Sequence, residues 1–249
     1  MTTEEGIVVR TYDFRETSLI IDLITPISGK KRILAKGARD PVRGYTGIFL
    51  PTNNVIVNYY SGKNISLLSH AELRDFFPLL RGDFLRYAFA LSFLELVYIL
   101  LAPLERNFYS FSLQTIRFLD EQKRLDYLLL SSFVWFKLLN FSGFYPYLEG
   151  CLCCGKESKI FFYSVDKGGL ICEECRKKIN QPHLMVIDSE TLGGLRGMKK
   201  LDFSLLSKWK INLMSKFKIK EIMKAHLLYR IEKKPPSLQF WEAVENLLL

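Results

Sequence analysis

The 249-residue sequence predicts a multidomain α+β fold: a small N-terminal β-barrel, then an α-helical domain that carries an inserted four-cysteine zinc module. Three observations predict it. Short β-branched runs fill the first part of the chain, helical periodicity begins after Pro78, and two CxxC pairs stand between two blocks of helical pattern. We place the domains at residues 1–79, at 80–148 together with 180–249, and at 149–179 for the insert.

Five N-terminal segments have the composition of strands, because each is rich in β-branched or aromatic residues and is bounded by turn-forming residues. Such a set of short strands suits a small closed barrel, of which the OB-type Greek key is the commonest nucleic-acid-binding form. An SH3-like barrel is the alternative. The predicted strands cover residues 6–12, 17–25, 30–36, 54–60 and 64–70.

After Pro78 the apolar residues recur at helical spacing, and Asp83 can cap a helix that runs to about residue 102. One stretch, 87–104, approaches transmembrane length. Glu95 lies at its centre and would cost about 2.5–3.5 kcal/mol in a bilayer, so we expect a buried helix and no membrane association. Further helices are predicted at 108–121, 126–141, 189–197, 204–217, 219–230 and 237–248.

The cysteines form the most specific pattern in the chain. Cys151 and Cys154 make one CxxC pair, Cys172 and Cys175 make the other, and this spacing is typical of a structural Zn²⁺ site. Four thiolates fill the coordination shell of zinc, which leaves no position for water and therefore predicts a structural metal. Two disulfides or unrelated buried cysteines are the alternative. Cys153 is interpreted as a bystander that could replace Cys151 or Cys154 in another register.

Four cysteines at zinc spacing favour a reducing compartment, since a secreted protein more often uses cysteines in disulfides. We therefore expect a cytoplasmic protein. We also expect a protein that is not an enzyme: there is no phosphate-binding GxxxxGK[ST] loop and no HxE partner for the cysteines, and only three histidines are present. No catalytic residue is predicted.

The net charge of +9 is unevenly distributed along the chain. Residues 176–234 hold fifteen Lys and Arg against five Asp and Glu, and a second basic concentration spans 30–43. Clustering of this kind indicates a polyanionic partner, although a solvated surface is the alternative. Alternation along a strand would place Lys30, Arg32 and Lys36 on one side and turn Ile33 and Ala35 inward. Tyr12, Tyr45, Tyr59 and Tyr60 are candidate base-stacking residues, with core or edge packing as the alternative.

A series of motifs in a set order resembles the bacterial recombination mediator family RecO, across nearly the full chain. No single motif is specific, but their order and the layout of barrel, helices, cysteines and helices are together distinctive. The motifs are Gly6-Ile7-Val8-Val9, Lys36-Gly37-Ala38-Arg39, Tyr60-Ser61-Gly62-Lys63, Leu68-Ser69-His70-Ala71-Glu72, Gly143-Phe144-Tyr145-Pro146, Gly168-Gly169-Leu170 and Ser189-Glu190-Thr191-Leu192.

The resemblance implies an OB barrel, a helical domain and a cysteine zinc module. It also implies a cytoplasmic, nucleoid-associated protein that binds single- and double-stranded DNA and anneals complementary strands. With RecR, such a protein loads RecA onto DNA coated by single-strand-binding protein. The basic tract over 208–224 is a plausible dock for the acidic tail of single-strand-binding protein.

Carried onto this chain, the DNA contacts of the family's barrel fall on Lys36 and Arg39. Charge alone adds their neighbours Lys30, Lys31, Arg32 and Arg43. The chain departs from the family pattern where a Leu-Gln-Pro-Phe motif is expected, since it has Phe49-Leu50-Pro51-Thr52.

Three alternatives to this function stay open from the sequence. The first is an RNA-binding or ribosome-associated zinc protein. The others are a nucleic-acid-modifying enzyme with an unrecognised site, and a protein–protein adaptor.

Overall fold

The computed structural model describes residues 1–43, 45, 47–101, 106–179, 184–231 and 233–246, with Arg43 and Arg106 described at the backbone only. The chain forms two compact units, one of Met1–Lys123 with Pro235–Leu249 and one of Arg124–Lys234. This grouping differs from the predicted domains. Those boundaries mark changes in sequence pattern, whereas compact units are set by packing between distant segments. We call the two units the barrel unit and the cysteine unit.

The barrel is built from five strands that close on themselves in the order β1-β2-β3-β5-β4. β3 and β5 pair in parallel and every other described pair in the barrel is antiparallel, a five-stranded OB-like arrangement. The predicted fold class is therefore confirmed. The strands are β1 (Thr2–Phe14), β2 (Ser18–Thr25), β3 (Gly29–Ala35), β4 (Asn54–Tyr60) and β5 (Ser66–Asp75), and Pro41–Arg43 forms one 3₁₀ turn.

Alternation along the strands directs one set of side chains into the barrel and the other set outward. On β3, Ile33 and Ala35 are fully buried, whereas Lys30 and Arg32 are exposed. The interior is filled by aliphatic side chains from all five strands. They include Val8, Ile21, Leu23, Ile33, Ala35, Val55, Val57 and Ala71, with Phe49 from the loop between β3 and β4.

That loop contains the departure from the family pattern. Thr52 is buried and takes a φ of 77°, a left-handed conformation that is unfavourable for a β-branched residue. Its N–H donates to the Val8 carbonyl at 2.8 Å. Arg81 holds the loop from outside, because its guanidinium donates to the Pro51 carbonyl and to the Asn53 side chain at 3.0 and 2.7 Å.

After the barrel, the chain forms helices and a second sheet, whose three strands lie in the order β7-β6-β8. The helices are α1 (Pro78–Gly82), α2 (Phe84–Leu100), α3 (Arg106–Glu121), α4 (Tyr127–Phe141), α5 (Glu173–Arg176), α6 (Ser189–Gly197), α7 (Phe203–Leu206), α8 (Leu213–Arg230) and α9 (Pro236–Glu245). The strands of the second sheet are β6 (Phe161–Ser164), β7 (Gly169–Cys172) and β8 (Leu184–Ile187).

In the barrel unit, α2 begins where the sequence predicts, since the Asp83 carboxylate accepts the N–H groups of Leu85 and Arg86. The charge at the centre of its apolar stretch has a partner from the far end of the chain. Glu95 accepts the Ser237 hydroxyl at 2.5 Å and the Ser237 N–H at 3.2 Å, which fixes the start of α9. Among the described residues, the length and apolarity of the helices fall short of what crossing a bilayer requires.

In the cysteine unit, α4 packs against α8. The predicted boundary between helices at 204–217 and 219–230 is wrong. The chain forms the short α7, then a non-helical segment, and then one continuous helix, α8. Asn212 decides the start of α8, because its side chain accepts the Ser215 N–H at 2.7 Å. Close packing against α6 is the second reason, since a Cβ on Gly194 would approach Ile211 to 2.5 Å.

Candidate metal centre and nucleic-acid interface

The two CxxC pairs meet in the cysteine unit, and the sulfur atoms of Cys151, Cys154, Cys172 and Cys175 all lie within 4.8 Å of one another. The Sγ atoms of Cys154 and Cys172 are 3.8 Å apart. An ion with metal–sulfur bonds of about 2.3 Å, as zinc has, sets the edges of its sulfur tetrahedron at about 3.8 Å. The four cysteines therefore form a cluster that could hold one metal ion.

Local hydrogen bonds shape both halves of the cluster. In the first CxxC pair, Gly155 takes a φ of 73° and its N–H donates to the Cys151 carbonyl at 2.8 Å, which closes the turn. Cys172 ends β7, and its Sγ accepts the Cys175 N–H at 3.4 Å. The two pairs are joined because the Cys172 N–H donates to Cys151 Sγ at 3.3 Å.

These N–H groups favour thiolates. Burial raises the pKa of Cys151, but the backbone N–H groups of Cys172, Cys153 and Cys154 outweigh it, and the pKa falls to about 6. Hydrogen bonding with the Cys172 and Cys154 side chains instead raises the pKa of Cys175. A divalent cation at the centre would reverse that effect. All five cysteines are free thiols, and Cys153 is exposed and outside the cluster.

The cluster adjoins the sheet of the cysteine unit, since Cys172 ends β7, and this sheet is in turn joined to α8. The Arg176 guanidinium carbon lies 4.1 Å from the centre of the Phe162 ring on β6. The next residue, Tyr163, is fully buried, and its hydroxyl is hydrogen-bonded to His226 Nδ1 of α8 at 2.6 Å. Burial lowers the pKa of His226 to about 4, so this imidazole is neutral at physiological pH.

On the barrel, two of the predicted DNA contacts, Lys30 and Arg32, are exposed and also have partners within the protein. Asp22 on β2 is fully buried and accepts Arg32 at 2.6 and 2.8 Å and Arg10 at 2.9 Å. Burial raises the pKa of Asp22, but the hydrogen bonds from Arg32 and Arg10 outweigh it and leave the pKa below its usual value. Lys30 donates to the Ile99 carbonyl of α2 at 3.3 Å. Arg32 and Lys30 therefore stabilise the barrel's outer face.

Lys31 points the other way along β3, and its Nζ lies 4.5 Å from the ring centre of Tyr59. Tyr59 is buried and donates to the Glu4 carboxylate at 2.9 Å, so it belongs to the core and offers no face to a base. Tyr45 is half-buried against Phe49, with ring centres 5.6 Å apart. Of the four candidate stacking residues, Tyr12 and Tyr60 are exposed.

Lys36 and Arg39 lie at the exit of β3, next to an open cleft of about 1030 Å³. The Arg39 N–H donates to the Thr17 carbonyl at 2.8 Å, and its guanidinium pairs with the exposed Asp13 at 3.1 Å. Lys36 is exposed. The side chain of Arg43 lies outside the described residues. The cleft is lined by Phe14, Arg15, Glu16, Thr17, Ser18, Leu34, Lys36, Gly37 and Asp40.

The sequence patterns did not identify Arg15, which lines the same cleft. Its φ of 56° places it in the left-handed region at the tight turn between β1 and β2, where its side chain is exposed. The only signal for it is the short polar run between two strand patterns. Positive charge at the cleft therefore comes from two turns. The sequence predicts the turn after β3, with Lys36, but not the turn between β1 and β2, with Arg15.

The two compact units differ sharply in charge. The barrel unit holds fifteen basic and fifteen acidic residues, whereas the cysteine unit holds twenty Lys and Arg against eleven Asp and Glu and so carries the whole net charge of +9. Part of the basic tract is neutralised locally. Lys216 pairs with Asp126 at 2.5 Å, Lys218 pairs with Asp188, and Lys220 is buried.

An OB-like barrel, helices and a four-cysteine cluster together define a multidomain protein of the OB-barrel class with a module that could hold a metal ion. Comparison with known families assigns the chain more narrowly. The family model for Recombination protein O matches in both its parts, the N terminal over residues 1–77 and the C terminal over 81–239. The chain therefore belongs to the RecO family of DNA repair proteins, as the motif order predicts.

Similar proteins carry the name DNA repair protein RecO. That of Symbiobacterium thermophilum is 29% identical over 252 residues, covering 97% of each chain. That of Desulforamulus reducens is 27% identical over 241 residues, covering 96% of this chain and 93% of its own. That of Thermoanaerobacter is 25% identical over 247 residues, covering 98% of each.

Proposed function

We propose that this protein binds single- and double-stranded DNA, anneals complementary strands and, with RecR, helps load RecA onto DNA coated by single-strand-binding protein. It acts in the cytoplasm at the nucleoid and catalyses no chemical reaction. The observation that carries the proposal is the match of both family models along the chain, which includes the barrel and the helices.

The barrel cleft supplies the DNA contact in this proposal. Lys36 and Arg15 line it and Arg39 follows in the same loop, so three cations project from two adjacent turns. Neutralising phosphates on two strands lowers their mutual repulsion, and an open cleft leaves bases free to pair. Annealing by this route needs no nucleotide. Lys30 and Arg32, which are predicted DNA contacts, also hold the barrel face through the Ile99 carbonyl and Asp22.

Zn²⁺ is the metal we propose for the cysteine cluster, because four soft thiolates within 4.8 Å of one another suit it. Bound there, zinc supplies a cross-link between the two CxxC pairs. The four cysteines would hold it, and the N–H groups of Cys153, Cys172 and Cys175 orient the sulfur atoms of Cys151 and Cys172. The acidic tail of single-strand-binding protein would dock on the cysteine unit, which carries the net positive charge.

Charge reversal at the cleft tests the DNA contact. We expect the double variant Lys36→Glu, Arg39→Glu to bind oligonucleotides of any sequence more weakly, because phosphate contacts carry no sequence information. The slope of log affinity against log salt should fall by about one for each phosphate that is no longer neutralised. Fluorescence anisotropy with labelled single strand and duplex measures both quantities, with structured RNA as a competitor.

Lys123→Glu is the matched control, since it reverses an exposed charge in the same compact unit but away from the cleft. Affinity and salt slope of the double variant equal to those of this control would reject the cleft as the DNA site. Stronger binding of the wild type to RNA than to DNA would favour the RNA-binding alternative.

A further inference from the structure

An arginine lies between two exposed aromatic rings in the cysteine unit. The guanidinium carbon of Arg230 is 5.0 Å from the ring centre of Phe144 and 5.3 Å from that of Tyr229. The two aromatic residues are 39% and 57% exposed, and Tyr147, whose N–H is bonded to the turn that Arg230 also contacts, is 40% exposed. We call these four residues the aromatic platform. Exposed apolar surface that is contiguous and rimmed by polar residues marks interaction sites, and an arginine is attracted to the faces of aromatic rings.

The platform is held in place by close packing. Arg230 ends α8, and its Nη2 donates to the Asp166 carbonyl in the turn between β6 and β7 at 3.3 Å. Gly168 in that turn has a φ of 68°, and a Cβ there would lie 3.2 Å from Arg230 Nη2. The Tyr147 N–H donates to the Gly168 carbonyl at 2.8 Å. The turn at Gly168 therefore leaves room for the arginine side chain and is hydrogen-bonded to the backbone of Tyr147.

The charge around the platform is suited to phosphate. Lys167, in the same turn, and Lys233, just beyond α8, are exposed, and neither pairs with a carboxylate in the part of the chain that the structure describes. The acidic residue of the turn, Asp166, accepts the Ser164 hydroxyl. In contrast to Lys216 and Lys218, which are paired with carboxylates, Lys167 and Lys233 keep their charge available for a ligand.

We propose that the aromatic platform is a second nucleic-acid site, in the cysteine unit, and that it selects single strands. Bases of a single strand can stack on Phe144, Tyr147 and Tyr229, while a duplex keeps its base faces hidden. Lys167 and Lys233 contact the phosphates. An acidic peptide would use the two lysines but has no need of three ring faces.

This inference rests on the proposed function and deepens it. A protein that anneals must hold two strands at once, and a site in each compact unit gives each strand its own contact. The proposed cleft contact consists of the cations Lys36, Arg15 and Arg39, whereas the platform also offers aromatic rings to bases. The two sites therefore predict different responses to the removal of bases from the probe.

The test uses the full chain and three probes of equal length: labelled oligothymidylate, an abasic strand with the same phosphates, and a duplex. We expect Phe144→Ala, Tyr229→Ala to weaken oligothymidylate binding about fivefold or more for each base that no longer stacks. Affinity for the abasic strand and the duplex should stay unchanged, as should the salt slope. Lys167→Gln, Lys233→Gln should instead lower the salt slope on all three probes.

Leu205→Ala, Met214→Ala is the matched control, because it removes two exposed apolar side chains from the same unit, 45% and 67% exposed. Oligothymidylate affinity of the ring variant equal to that of this control would overturn the proposal. So would an equal loss on all three probes. If the ring variant lost binding to a poly-glutamate peptide but kept its DNA binding, the proposal would be overturned in favour of a protein partner.

The outcomes also separate the two sites. If the Lys36→Glu, Arg39→Glu variant binds normally while the ring variant loses its preference for bases, the cleft fails and the platform stands. The reverse result rejects the platform and keeps the cleft. A wild-type protein that binds none of the three probes rejects both.

Discussion

Asp22→Asn should destabilise the barrel unit by about 2–3 kcal/mol. The buried carboxylate of Asp22 accepts three N–H groups from Arg10 and Arg32, at 2.9, 2.6 and 2.8 Å. Hydrogen bonds to charged groups contribute about 1.5–3 kcal/mol each. Much of that is offset here, because the two arginine side chains are 36% and 46% exposed and would be hydrated in the variant. In addition, the NH₂ group of the asparagine is a donor and would face the guanidinium donors, so at least one of the hydrogen bonds would be lost.

The assay is thermal unfolding followed by circular dichroism. For a unit of this size, 2–3 kcal/mol corresponds to a fall in Tm of about 6–12 °C. The pH dependence has a defined sign, because the pKa of Asp22 is lowered in the folded state. The carboxylate then contributes stability above its unfolded pKa of about 3.9 and loses that contribution as the pH falls through the folded value. The gap between wild type and variant should be full at pH 7 and shrink below about pH 4.

Asp13→Asn provides the control in the same barrel. Its ion pair with Arg39 is 70% and 42% exposed, and an exposed pair contributes about 0–1 kcal/mol. A Tm of the Asp22 variant within about 2 °C of the Asp13 variant would refute the reasoning. A gap of the same size at pH 3 and pH 7 would also refute it, since it would show that the charge of Asp22 contributes nothing.

Two further predictions concern the cysteine unit. Cys172→Ser should release the metal and lower the Tm of this unit by about 10 °C or more. The control Cys153→Ser, which changes an exposed cysteine outside the cluster, should keep both the metal and the Tm. The opposite pattern of metal content would contradict the assignment. His226, with a folded pKa of about 4 against about 6.5 unfolded, should cost about 3 kcal/mol of stability as the pH falls between those values. Denaturant unfolding at several pH values should therefore show a shallower pH dependence for His226→Gln, and equal slopes would contradict the role of this group.

Features that depend on neighbours within a few residues could be predicted from the sequence. Asp83 was expected to cap α2 and does so, because an N-cap bonds to N–H groups two or three positions ahead. The alternation that buries Ile33 and Ala35 follows from the period of a strand. Each CxxC turn places its own two sulfur atoms on one side, and the spacing of the two pairs predicts that they share a metal ion. The bond that joins the pairs, from the Cys172 N–H to Cys151 Sγ, spans 21 residues and is part of the tertiary structure.

Features that depend on partners far along the chain could not be predicted. Arg32 was a candidate DNA contact by its charge, but its partner Asp22 lies on the neighbouring strand and is buried there. Glu95 was recognised as anomalous for a membrane helix, yet its partner Ser237 is 142 residues away. The start of α8 was placed wrongly, because Trp209 and Ile211 pack on the glycines of α6 instead of continuing a helix.

The sequence by itself determined the class of fold, the four cysteines that could hold a metal ion and the family, since periodicity, cysteine spacing and motif order are properties of the chain alone. Only the tertiary structure decided which basic side chains lie against a carboxylate and which lie at an open surface. Folding placed Arg32 against Asp22, Lys216 against Asp126 and Lys218 against Asp188, whereas it placed Lys36 at the cleft and Lys167 in an exposed turn. The physical reason is that a charge is neutralised by what folding brings near it, and sequence position does not specify that neighbour.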